Sequence, residues 1–561
     1  MRFTRTFVYT SLIAGLALAS FFYLGERDLR DSEVVSIASG DLRGTVDPAS
    51  GVASFKGVPF AAPPVDELRW APPKPPHAWS GIRNAHSHGA RCVQEVGATK
   101  SYLGLMAEGV GMSPWKRTIL EFVAGLEDEV AISEDCLTLT VWTPADLRML
   151  RSAPRAVMVW FHGGYHKFGA GDSPEFDASR LAQLGVVVVS VNYRLGVMGF
   201  FAHPELTAAS VHGSSGNYGT LDQLQALKWV RKNIHAFGGD PDRVTIFGES
   251  AGAHSVGQLM ASPLAVGLMH RAIAQSGIGT HQQATLEQGE KAGLRLANKL
   301  GVRGEGQLRK LRALPAEKLH EAFAGRPEFE LLSHPVVDGW VLPQSTAAAF
   351  NSGAQAPIPL VIGSNADEGT LIAPTIGSPF VHRQPGPGSA SEYRALIHQE
   401  YPQQGDRVLE LYPVRGDENL TRGMSGLLGD HLFGMNSWFA ASRHSRSGQS
   451  TFLYFLTRKS PSPAQWAGAY HAMDIQFVFG RFVPLFPRAD YDEALSAAVM
   501  NYWVQFARSG NPNQAGLPQW TPFDVLDPRE LELGERVGMR PVARKDRYQL
   551  LLAPLEKSLQ Q

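Results

Sequence analysis

Residues 244–252 read VTIFGESAG. Val244, Thr245, Ile246 and Phe247 are β-branched or aromatic and have strand character. They run into Gly248-Glu249-Ser250-Ala251-Gly252, and the residues that follow, AHSVGQLM, are able to open a helix. A Gly-x-Ser-x-Gly match alone is weak in a chain with 57 glycines. Its setting gives it meaning. A strand, a sharp turn and a helix with small residues on both sides of a serine are what a nucleophile elbow requires. The serine there takes a strained backbone conformation, and only glycine-sized neighbours let strand and helix come so close. The helix N-terminus also favours negative charge developing beside it. The rival reading, a serine N-cap in a glycine-rich turn, explains the serine but not the glycines on both sides.

Outward from this stretch, short apolar runs alternate with amphipathic ones. AVMVWFHGG (156–164), VVVVSVNYR (186–194), PLVIGSNADEG (359–369) and TFLYFLTR (451–458) read as further strands. The run 186–194 is apolar on both faces, as a central parallel strand is. Between them, TLDQLQALKWVRKNIHAF (220–237) places Leu221, Leu224, Leu227, Val230 and Ile234 on one helical stripe. Strands separated by helices predict an α/β fold with a large, mostly parallel central sheet flanked by helices. Chemistry in such a sheet belongs at the carboxyl ends of the strands. Segments 100–130 and 375–395 read as loops, the latter rich in Gly, Pro and Ser.

A serine nucleophile needs a base, the base needs an orienting carboxylate, and the oxyanion needs donors. In this fold the acid and the histidine follow the serine in that order. His254 lies four residues on, inside the helix, and is poorly placed to face the elbow. His471 sits in AGAYHAMD, a turn-like stretch of small residues. Glu368 follows a predicted strand, with Asp367 beside it as an alternative acid, and spacing does not choose between them. Glycines in WFHGGYHKFGAG (160–171) let backbone N–H groups point at the site.

The chain has 561 residues, with 52 basic and 53 acidic side chains and no charge block. Nothing in that balance supports nucleic-acid binding. Two cysteines, Cys92 and Cys136, show no metal-ligand spacing. They read either as one disulfide or as two separate buried thiols; bridged, a loop of this size stabilises by roughly 3–4 kcal/mol. The N-terminus carries Arg2 and Arg5, then an apolar run from Phe7 to Gly25. That is either a signal peptide with Ala17-Leu18-Ala19 at its cleavage site or a retained membrane tether through residues 7–25. Both predict an exported protein, periplasmic or secreted.

Taken together, these segments resemble the type-B carboxylesterase and cholinesterase family of α/β-hydrolases, over roughly residues 34 to 540. FKGVPFAAPPVDELRWAPP (55–73), SEDCLTLTVWTP (133–144), VNYRLGVMGF, the long run through GESAG, AIAQSG (272–277) and FARSGNPN (506–513) match in order. The resemblance implies a triad of Ser250, Glu368 and His471, the glutamate being that of the family's Asp-Glu-Gly segment. It implies an oxyanion hole made by the N–H groups of Gly164, Tyr165 and Ala251. Tyr165 departs from the family, standing where glycine or alanine is usual; it adds bulk, and His166 and Lys167 add polarity. Asp474 stands where the family commonly has glutamate. The resemblance also implies a Cys92–Cys136 disulfide, ion pairs Arg69–Glu134 and Arg194–Asp222, and a place for Ser276 near the histidine.

The expectation is therefore a serine carboxylic-ester hydrolase using an acyl-enzyme, with neither metal nor organic cofactor and a small-molecule ester as its partner. Residues 1–24 are the signal peptide or anchor, and 34–545 form one hydrolase domain. Two alternatives stand beside it. One is a specialised amide, carbamate or natural-product ester hydrolase of the same mechanism. The other is a non-catalytic adhesion module on the same scaffold.

Overall fold

A computed structural model describes residues 28–95, 97–125, 130–280, 283–375 and 387–560. The N-terminal run 7–25 lies outside them, and among the described residues no helix is long and apolar enough to cross a membrane.

The strands, in chain order, are β1 (Arg30–Ile37), β2 (Gly40–Asp47), β3 (Val52–Pro59), β4 (Ile82–Asn84), β5 (Thr138–Pro144), β6 (Arg155–Phe161), β7 (Val187–Val191), β8 (Gly239–Glu249), β9 (Arg271–Gln275), β10 (Leu360–Asn365), β11 (Thr451–Leu456), β12 (Arg529–Leu533) and β13 (Gly538–Pro541). They form one sheet in the order β1-β2-β3-β5-β7-β6-β8-β9-β10-β11-β12-β13, with β4 paired to β2. From β7 to β12 every pairing is parallel. The edge pairings are antiparallel, apart from the short β4, which runs parallel to β2. β7 stands at the boundary, parallel to β6 and antiparallel to β5. Its unbroken valine run reflects burial on both faces, which does not depend on the direction of the second neighbour.

Successive side chains of the central strands enter different cores. Val157, Val159 and Phe161 pack on one face; Met158 and Trp160 pack on the other, where Trp160 meets Phe176, Phe247 and Phe479. The expected helical stripe forms Tyr218–Asn233 and buries Leu221, Leu224, Leu227 and Val230.

Two segments differ from the sequence reading. Stretch 98–125 is not loop but carries helices Ala98–Gly109 and Pro114–Gly125. Part of the predicted loop 375–395 is helix as well, since Ala390–Glu400 begins where the Ser389 hydroxyl accepts from the Glu392 N–H. Cys92 and Cys136 are disulfide-bonded. Arg194 grips Asp222 through Nε and Nη2 at 2.8 and 2.7 Å, both side chains buried, and Arg69 pairs with Glu134. Arg194, just after β7, thus holds the helix Tyr218–Asn233 that carries Asp222, and Arg69 is tied to the segment before β5; breaking either pair leaves an uncompensated buried charge.

Candidate active site

The carboxyl ends of β6, β8 and β10 converge on Ser250. This serine has φ 55° and ψ −122°, a strained conformation between β8 and helix Ala251–Ala261. The flanking glycines are needed for contact, not flexibility. A Cβ on Gly252 would lie 2.0 Å from the Phe161 carbonyl oxygen, and one on Gly248 would lie 2.5 Å from Gly252 backbone atoms. Ser250 N–H donates to the Gln275 carbonyl of β9 at 2.9 Å, so the turn is fixed to the neighbouring strand.

His471 Nε2 lies 2.9 Å from Ser250 Oγ, and its Nδ1 lies 2.7 Å from Glu368 Oε2. The other oxygen, Oε1, accepts from the Asn365 N–H and the Ser276 hydroxyl, each at 2.7 Å. Ser276 thus touches the glutamate that holds the histidine, one residue removed from the ring. Asp367, the neighbouring acid, turns the other way. Its carboxylate accepts from Ala469 N–H at 2.8 Å while its own N–H donates to the Ala469 carbonyl, fastening the end of β10 to the histidine loop. The imidazole is held by three further contacts. Tyr102 donates to the His471 carbonyl at 2.9 Å, Asn365 Nδ2 donates to the Tyr470 carbonyl at 3.0 Å, and Phe433 stacks on the ring at 4.3 Å. His254 lies half-buried within the helix, where desolvation lowers its pKa to about 3.

A second carboxylate faces the same imidazole. Glu249 Oε1 sits 3.2 Å from His471 Nε2 and has no hydrogen-bond partner among the described residues. Burial pushes Glu249 up to about 8. Burial opposes protonation of His471, but Glu249 and Glu368 outweigh it and push the imidazole up to about 9. The two shifts are linked: a proton on Glu249 removes its pull on the ring, so the pair titrates as a unit. Asp474 is buried, accepts from Gln275 Nε2 and Tyr454 OH at 2.9 Å each, and is pushed up chiefly by desolvation.

The loop after β6 lies against the serine. A Cβ on Gly163 would come 3.2 Å from Ser250 Cβ, and one on Gly164 would lie 2.1 Å from the Phe168 carbonyl oxygen. Gly164, Tyr165 and His166 have φ of 102°, 56° and 57°. Ala251 opens its helix, so its N–H has no intrahelical acceptor. The Tyr165 ring packs with Ile372, Leu428, Leu432 and Phe433, forming an apolar wall. His166 is buried and bonds Ser255 through Nε2 at 3.1 Å.

A serine, an imidazole and a carboxylate in one hydrogen-bonded line, beside free helix N–H groups, suit acyl transfer. The sequence profile described as the carboxylesterase family matches residues 31–551. The chain belongs to the carboxylesterase family. It is 35% identical over 496 residues to the para-nitrobenzyl esterase of Bacillus subtilis (strain 168), covering 86% of this chain and 91% of that one. It is 34% identical over 516 residues to the fumonisin B1 esterase of Sphingopyxis macrogoltabida, covering 89% and 87%. A solved PNB esterase superposes with a TM-score of 0.74 at 31% identity, over 92% of this chain and 99% of the other. This carboxylesterase is a carboxylic-ester hydrolase with the α/β-hydrolase fold.

Sequence reasoning missed Glu249, Tyr102 and Phe433. Glu249 had a signal, a carboxylate adjacent to the proposed nucleophile. Tyr102 and Phe433 had none, because nothing in their local sequence links them to a histidine so distant in the chain.

Proposed function

We propose that the carboxylesterase cleaves small-molecule esters through an acyl-enzyme on Ser250. Ser250 Oγ attacks the ester carbonyl carbon while His471 Nε2 takes its proton. His471 then returns that proton to the leaving alcohol, and water resolves the acyl group by the same route. Glu368 holds Nδ1–H and stabilises the imidazolium. The N–H groups of Gly164, Tyr165 and Ala251 receive the oxyanion. The observation that carries this reading is the unbroken chain Ser250 Oγ–His471 Nε2 at 2.9 Å and His471 Nδ1–Glu368 Oε2 at 2.7 Å. A non-catalytic adhesion role leaves that chain without a purpose.

In the same proposal, residues 1–24 export the protein as a signal peptide or anchor, with 34–545 as the catalytic domain. Ser250→Ala is expected to retain the fold, lose fluorophosphonate labelling and lower hydrolysis of a short p-nitrophenyl ester by about 10⁴-fold or more. Turnover near wild type in that variant refutes the assignment. A panel of simple acyl esters, a p-nitrobenzyl ester, fumonisin B1, an amide and a carbamate then separates general from specialised substrates.

A further inference from the structure

The loop after β6 holds two consecutive non-glycine residues, Tyr165 and His166, at left-handed φ. Such residues are sterically disfavoured there, so the conformation persists only when its surroundings impose it. Lys167 closes this turn. Its N–H donates to the Gly164 carbonyl at 2.9 Å, and the Phe168 N–H donates to the same oxygen at 3.1 Å. The peptide joining 164 and 165 is planar and trans, so its C=O and N–H point in opposite directions. Fixing the Gly164 oxygen toward 167 and 168 therefore fixes the Tyr165 N–H the other way.

The Lys167 side chain is in turn anchored. It is only 8% exposed, and its ammonium forms an ion pair with Glu330 Oε2, whose partner oxygen Oε1 is 3.1 Å from His334 Nε2. Burial pushes the Glu330 carboxyl up, but His334 and Lys167 outweigh it and hold it at about 2. The other end of the loop is tied independently, by Gln94 exchanging two hydrogen bonds with Gly169 at 2.8 and 3.0 Å.

We propose that Lys167 is a positioning residue for the oxyanion hole, acting through its ion pair with Glu330. Its ammonium is committed to Glu330, and it holds the turn that aims the Tyr165 N–H. The inference rests on the oxyanion assignment above.

The test uses Lys167→Met, Glu330→Gln, Lys167→Arg and the exchange Lys167→Glu with Glu330→Lys, in the full chain. For each, kcat and KM on a short p-nitrophenyl ester are read beside the affinity of an aryl trifluoromethyl ketone. Ser250 Oγ adds to that ketone's carbonyl carbon, His471 takes the hydroxyl proton, and the carbonyl oxygen becomes an anion in the hole. Losing a whole oxyanion donor costs 10²–10³ in kcat, so misaimed donors are expected to cost about 10- to 100-fold. In Lys167→Met and Glu330→Gln, ketone affinity should weaken in parallel while KM stays within about twofold. Lys167→Arg should recover most of the loss. A merely structural pair lowers the melting temperature and leaves kcat and ketone affinity at wild-type values; that outcome overturns the inference, and either single variant that folds suffices to reveal it. Failure of the underlying reading looks different, because wild-type protein would then not bind the ketone in competition with substrate.

Discussion

Two carboxylates approach the His471 ring from opposite sides, and they are not equivalent. Glu368 comes from the turn after β10 and is fully engaged, accepting from Asn365 N–H, Ser276 Oγ and His471 Nδ1. Glu249 comes from the last residue of β8 and faces Nε2 with an oxygen lacking a hydrogen bond among the described residues. Both side chains are buried. The difference lies in the donors. Burial without compensating donors favours the protonated form of a carboxylate, and that is the direction in which Glu249 is shifted. One side of the ring is thereby built to stabilise an imidazolium, and the other to titrate.

Glu368→Gln breaks the comparison most severely. The amide keeps the shape but no longer offers a charged acceptor to Nδ1–H. It also allows the ring to adopt the wrong tautomer. We expect kcat to fall by about 10³–10⁴-fold with KM little changed. Steady-state kinetics on a p-nitrophenyl ester checks this; a loss under tenfold would mean that Glu249 supports the ring equally well.

Glu249→Gln tests the other side and has a smaller effect with a definite sign. In the proposed mechanism ester cleavage needs neutral His471, so the rate is expected to rise with pH through the imidazole pKa. Glu249 is the largest of the charges raising that pKa to about 9. Its removal should move the acid limb of the kcat profile to lower pH, and the plateau should fall by no more than about tenfold. Stability responds as well. A carboxyl raised from 4.5 to about 8 binds more protons folded than unfolded across that window, so it destabilises the protein as pH climbs from 4.5 to 8. In Glu249→Gln the fall in melting temperature between pH 5 and 8 should flatten. An unmoved acid limb would show that Glu249 is already protonated whenever the enzyme works.

How much of this the sequence discloses follows from how local each signal is. The elbow at 244–252 is readable because its glycines and serine lie within five residues of one another, although the closest approach at Gly252 is to the Phe161 carbonyl of β6. Five of the seven strands from β7 to β12, namely β6, β7, β8, β10 and β11, are readable as apolar runs, whereas β9 and β12 are five residues each and carry charged or polar residues. The acid was not readable from spacing. Glu368 and Asp367 leave the same strand end and differ only in which way the turn sends them, one back to Asn365 N–H and the other to Ala469. Family likeness favoured the former. Stretch 98–125 reads as loop in the sequence, yet one of its two helices carries Tyr102 to the His471 carbonyl. Glu249 escaped because the motif treats its position as free, whereas its environment depends on β9, β10 and the histidine loop together.

Ser276→Ala gives the smallest effect and the sharpest sign. The hydroxyl donates to Glu368 Oε1 at 2.7 Å, leaving Asn365 N–H as the remaining donor when it is lost. One hydrogen bond to a charged group is worth about 1.5–3 kcal/mol at most, shared between stability and catalysis, so a kcat loss of about 3- to 10-fold is expected. Ser276 sits at φ 68°, a cost that alanine bears as well, so the backbone contributes little to the comparison. With one donor fewer, the Glu368 charge is less dispersed and holds the Nδ1 proton more tightly, favouring imidazolium. The acid limb should then move to higher pH, opposite to its movement in Glu249→Gln. Shifts of the same sign in both variants would mean that the two carboxylates act on the ring through one shared network, and that their different donors do not divide the work between them.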